Sequence, residues 1–170
     1  MLRRSAGERQ GRGARAFGLP GTTATWHDAS MAVEPEIIDA IAGLNLFADL
    51  SQPQLEGIAH IMDERTFPVG ERVLRQGVSG SAFFIIVDGE VRVVVDGTER
   101  STLGRGEFFG EVSVLLGEMA TADVYATRPL RCLVLPGAQV EGFLIAHPKV
   151  MFRMLQAQAR RLRAANRWRD

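Results

Sequence analysis

The sequence predicts an α+β fold that is mainly β: about eight short strands in a sandwich or jelly-roll barrel, with helices before and after. Three observations predict it. The helical period of residues 37–62 gives way near Arg65 to short apolar runs of strand length. Asp88-Gly89 and Asp96-Gly97 separate consecutive runs, and Asp-Gly between apolar runs is a strong hairpin signal. A helical period then returns at Val140 and lasts to about Arg167.

The elements follow in order. Residues 1–32 are rich in Gly, Arg, Thr and Ala without periodicity and are expected to form a flexible basic tail, from which only Trp26 could dock. Order is expected over residues 33–170. Ile37, Ile38, Ile41 and Leu44 share one helical face, and Pro35 stands near the helix start, where proline costs little. Ser51 and Gln54 form a capping box, with Leu50 and Leu55 at the staple positions, so a second helix would bury Leu55, Ile58, Ala59 and Met62. Strands are predicted at 64–67, 72–75, 82–87, 90–95, 99–103, around Phe108, at 121–126 and at 130–135. In the fourth, Val91, Val93 and Val95 alternate with Arg92 and Val94. Val140, Phe143 and Leu144 define a short helix. Pro148 opens a longer one with an apolar stripe of Met151, Met154, Leu155, Leu162 and Trp168 and arginines on the other side.

Composition narrows the function. An apolar fraction of 46% supports a packed core, and zero formal net charge argues against a general polyanion binder. Arginines cluster at both ends, so the middle is acidic. Cys132 is the single cysteine and allows no internal disulfide; with no apolar run of membrane-spanning length and no secretory segment, a cytoplasmic location is expected. His27, His60 and His147 are widely spaced and outside the strands, so no metal site or cofactor is expected. Cys132 lies in an apolar strand and reads as a small core residue rather than a nucleophile. No acid, base or metal constellation points to an enzyme.

Residues 109–117, Phe-Gly-Glu-Val-Ser-Val-Leu-Leu-Gly, carry the sharpest signal. With Gly70-Glu71, Arg75-Gln76-Gly77, the Phe83–Asp88 strand ending in Gly89, and Thr121-Ala122-Asp123-Val124, they give residues 37–165 a resemblance to the cyclic nucleotide-binding domain family. The resemblance implies an eight-stranded jelly-roll barrel, a short phosphate-binding-cassette helix and C-terminal lid helices. It implies ligand contacts from Phe109, Gly110, Glu111, Val112, Ser113, Ala120, Thr121 and Ala122. The chemistry is coherent. A helix N-terminus offers unpaired N–H groups and a positive dipole end to a phosphate. Gly110 lets the backbone approach, and in the family's pattern Glu111 accepts a hydrogen bond from the ribose hydroxyl.

One position departs from the pattern. The family's phosphate-pairing arginine falls on Ala120, and no Arg or Lys occurs between Arg105 and Arg128. A charge-assisted hydrogen bond contributes roughly 1.5–3 kcal/mol, and leaving a buried charge unpaired costs about 3–5 kcal/mol. The affinity loss therefore runs from about tenfold to more than a thousandfold. Three outcomes are compatible: a pseudo-site, a different or uncharged ligand, or rescue by a remote arginine such as Arg105 or Arg128. The expectation is a non-catalytic regulatory or sensor module whose binding of cyclic AMP or cyclic GMP is weak or lost. The alternative is a ligand-independent scaffold acting through its basic C-terminal helix. Residues 148–168 could cover the ligand, bind a protein partner or form a homodimer. No helix-turn-helix follows them, so direct DNA binding is not expected.

Overall fold

A computed structural model describes residues 35–79 and 82–166. The expected tail at 1–32, Trp26 and Trp168 lie outside the described residues. Helices α1 (Pro35–Ala42) and α2 (Gln52–Ile61) flank a 3-10 turn at Asn45–Phe47. Strands β1 (Asp63–Phe67), β2 (Arg72–Leu74), β3 (Ala82–Asp88), β4 (Val91–Val95), β5 (Thr98–Leu103) and β6 (Phe108–Phe109) follow. The short helix α3 (Glu111–Leu116) precedes β7 (Asp123–Ala126) and β8 (Leu130–Pro136), and α4 (Gly137–Ala146) and α5 (Pro148–Asn166) complete the order.

The strands form two antiparallel four-stranded sheets, ordered β1-β8-β3-β6 and β2-β7-β4-β5. Among the described residues no ladder joins them, so the expected barrel is an open pair of sheets rather than a closed ring. Strand β3 shows why the core has two layers. Phe83, Ile85 and Val87 face a cluster with the helices, whereas Phe84 and Ile86 face a second cluster with Val91, Phe109, Val124 and Cys132. A strand buried on both faces reads as a continuous apolar run, as Phe83–Val87 does.

The helix faces follow the periodicity at the N-terminal end. Ile41, Leu44, Leu55, Ile58, Ala59 and Met62 are all buried. Gln54 Oε1 accepts the Ser51 N–H at 3.0 Å, which satisfies one free donor at the start of α2. Two expectations need correction. In β4 a register shift between Val93 and Val94 resets the alternation, so Val94 is buried and Val95 only half-buried. In α5 the packed residues are Val150 and Met154, with Ala157 against the same cluster; Met151, Leu155 and Leu162 are exposed. Steps of three, four and seven residues return to one helix face, and Val150, Met154, Ala157 and Arg161 follow that spacing. Arginine therefore stands on the inner face of α5, not only the outer. No helix among the described residues is long and apolar enough to cross a membrane.

Candidate ligand site

Helix α3 starts from a forced geometry. Gly110 caps it at φ 83°, in the left-handed region where a side chain is strained. A methyl group at Gly110 would also lie 2.5 Å from the Ala82 carbonyl oxygen. Glycine is thus required by β3 at its back, a reason independent of any ligand. The Phe109 ring stacks on Phe84 with centroids 4.8 Å apart, and the Ser113 hydroxyl donates to the Gly110 carbonyl at 3.0 Å. These contacts set the direction in which the first N–H groups of α3 point.

The loop after α3 is held equally firmly. The Gly77 N–H donates to the Ala120 carbonyl at 2.8 Å, and the Ala120 N–H donates to the Val78 carbonyl at 2.9 Å. Asp123 accepts the Gln76 N–H at 3.0 Å, and the Gln76 side chain pairs with Asp96 at 2.8 Å. The Arg75-Gln76-Gly77 turn is therefore a clamp on residues 120–123.

Between α3, this loop and the β2-β7-β4-β5 sheet lies a cavity of about 220 Å³. Phe109, Gly110, Glu111, Val112, Ser113, Ala120, Thr121 and Ala122 all line it, so the structure brings the eight residues singled out in the sequence to one wall. The opposite wall is mainly apolar, from Leu74, Val93, Leu103 and Val124, with Ser101 as its polar member. Ala120 is buried and contributes only a methyl group.

Besides that opposite wall, sequence reasoning missed Gln158 and Arg161 of α5 as lining residues. The Glu111 side chain is 5% exposed, and Arg161 Nη1 donates to its Oε1 at 2.9 Å. The Gln158 amide donates to the same oxygen. Arg161 Nη2 donates to the Phe108 carbonyl at 2.7 Å, and the guanidinium lies 4.6 Å from the centre of the Phe108 ring. The carboxylate expected to await a ribose hydroxyl is already satisfied by α5. The spacing of Arg161 from Val150 and Met154 was the available signal.

The proposed rescuers fare differently. Neither Arg105 nor Arg128 lines this cavity; Arg105 turns away to donate to the Val87 carbonyl at 3.0 Å. Cys132 is buried between the sheets, and burial pushes its thiol pKa up to about 12, which keeps it protonated and unreactive.

Residues 64–147 match the family model of the cyclic nucleotide-binding domain. The match supports the cyclic nucleotide-binding family. Over 100 residues the chain is 35% identical to the cGMP-dependent protein kinase egl-4 of Caenorhabditis briggsae, covering 55% of this chain and 13% of that one. Over 126 residues it is 32% identical to Glutaminase 2 of Bradyrhizobium diazoefficiens, covering 71% of this chain and 20% of that one. It therefore spans a fifth or less of those curated relatives. Among solved structures it resembles the catabolite activator protein of Thermus thermophilus, with a TM-score of 0.63 and 29% identity over 71% of this chain and 59% of that one.

Proposed function

We propose that the chain is a non-catalytic regulatory module of the cyclic nucleotide-binding type whose affinity for cyclic AMP and cyclic GMP is weakened or altered. One observation carries the reading: the buried loop position facing the start of α3 holds Ala120 and no cation. The α3 amides can still face an anion, but the loop after α3 supplies no countercharge, and Arg161, the cation on the cavity wall, is paired with Glu111. Cavity size supports the reading as well. About 220 Å³ is less than the ~300–1,000 Å³ usual for ligand pockets. A nucleotide would have to displace Gln158 and Arg161 before its ribose could reach Glu111. Ligand arrival and α5 release would then be one event, which is the logic of a sensor.

Calorimetric titration with cyclic AMP and cyclic GMP, beside the Ala120→Arg variant, tests this. Millimolar or weaker binding is expected for the natural chain, and a gain of about tenfold to a thousandfold for the variant. Micromolar binding by the natural chain would refute weakening. No binding by either protein would refute a nucleotide-derived pocket.

A further inference from the structure

A second and larger cavity, about 600 Å³, lies on the other side of α5. Its walls are α5, the turn between α1 and the 3-10 helix, and the loop between β5 and β6. Arg105, Arg153, Arg160 and Arg161 line it, with Glu107 the acidic residue among them. We propose that this groove is a separate binding site for a small organic anion bearing two oxyanion groups, phosphate or carboxylate.

Placement and charge argue for it together. Three of the four guanidiniums are held by main-chain carbonyls: Arg105 by Val87, Arg153 by Asn45 and Arg161 by Phe108. A carbonyl fixes a guanidinium without neutralising it. Arg105 is seated further by Gly43, where an added methyl group would meet its Nη2 at 3.0 Å. Arg153 also pairs with Asp49, and Arg161 with Glu111 and, at 4.0 Å, with Glu107. Arg105 and Arg160 have no carboxylate partner among the described residues. The groove is therefore cationic, with two guanidiniums free to form forked bonds to oxyanions.

The occupant follows from size and sign. A volume of about 600 Å³ falls in the range of small-molecule pockets, ~300–1,000 Å³. Four guanidiniums against the single carboxylate of Glu107 on its walls select an anion. Neither Arg105 nor Arg160 lines the smaller cavity, so the two sites can be tested apart.

The test is calorimetry on the full chain at fixed ionic strength, with pyrophosphate, citrate and hexaglutamate as probes. Saturable binding of pyrophosphate or citrate is expected, and which of the two binds distinguishes phosphate from carboxylate ligands. Arg160→Gln should weaken it roughly three- to fivefold, and Arg105→Gln/Arg160→Gln at least about tenfold. Arg160 is exposed and forms no side-chain hydrogen bond or ion pair among the described residues, so the single variant keeps the test valid if loss of Arg105 harms folding. The absence of saturable heat from either small anion would overturn the proposal. Equal affinity in the natural chain and the double variant would mean an adventitious ion only. Arginine-dependent binding of hexaglutamate alone would overturn the small-ligand assignment in favour of an acidic protein partner.

Discussion

At the scale of single residues, two glycines around α3 separate backbone strain from steric demand. Gly110 and Gly117 both have positive φ, at 83° and 66°. Only Gly110 is backed by protein, 2.5 Å from the Ala82 carbonyl oxygen; a methyl group at Gly117 meets nothing within 4 Å. Gly117→Ala should therefore cost about 1 kcal/mol, the left-handed penalty alone. Gly110→Ala should cost roughly 3 kcal/mol, because either β3 or the start of α3 must shift as well. Urea unfolding of the two variants measures the difference, and equal losses would mean the Ala82 approach is not constraining. Gly110 was legible in the sequence as special, but its close approach to β3 was not. The sequence assigns its bareness to a ligand, while the close neighbour is a carbonyl 28 positions earlier in the chain. No local pattern reveals such an approach.

At the scale of elements, the junction of α4 and α5 carries the pH dependence. His147 ends α4, with its ring 5.0 Å from Phe143 and tilted against it. Its Nδ1 is buried without a hydrogen-bond partner among the described residues. Burial lowers its pKa below the ordinary 6.5, since the charged form loses its water. The unfolded chain then binds the proton more readily than the folded one. The stability this histidine permits is present above pH 6.5 and falls as pH drops through that value toward the lower folded pKa. The melting temperature should decline between pH 7.5 and 5.5, and the decline should shrink in His147→Leu. An unchanged decline in the variant would place the proton elsewhere. Elements were otherwise read well where one face is buried, as in α2, whose four expected core residues are all in the core. Reading failed where two faces compete. Helix α5 presents Met151, Met154, Leu155 and Leu162 as a plausible apolar stripe, yet of these only Met154 is buried, beside Val150. The inner face is less hydrophobic because Gln158 and Arg161 complete it with hydrogen bonds rather than area.

At the scale of the whole molecule, the two cavities share one side chain. Arg161 lines both, and its bonds to Glu111 and Phe108 hold α5 against the sheet that carries α3. If a nucleotide must evict Arg161, the free energy of that anchor is subtracted from ligand affinity, as for any site whose competent state is only partly populated. The pair is partly shielded, with Glu111 5% and Arg161 30% exposed, so the anchor falls between a surface ion pair and a buried one. A value of about 1–2 kcal/mol is reasonable on that basis. Arg161→Ala, made in the Ala120→Arg background so that binding is measurable, should then tighten cyclic AMP roughly five- to thirtyfold. Amide exchange should rise over residues 158–166 in the same variant, while β3 and β8 stay protected, because only the end of α5 loses its hold. Weaker cyclic AMP binding in Arg161→Ala would reverse the assignment: Arg161 would be the ligand's countercharge, recruited from α5 to stand in for the cation missing at Ala120. The sign of one affinity change thus separates a helix that competes with the ligand from a helix that completes its site.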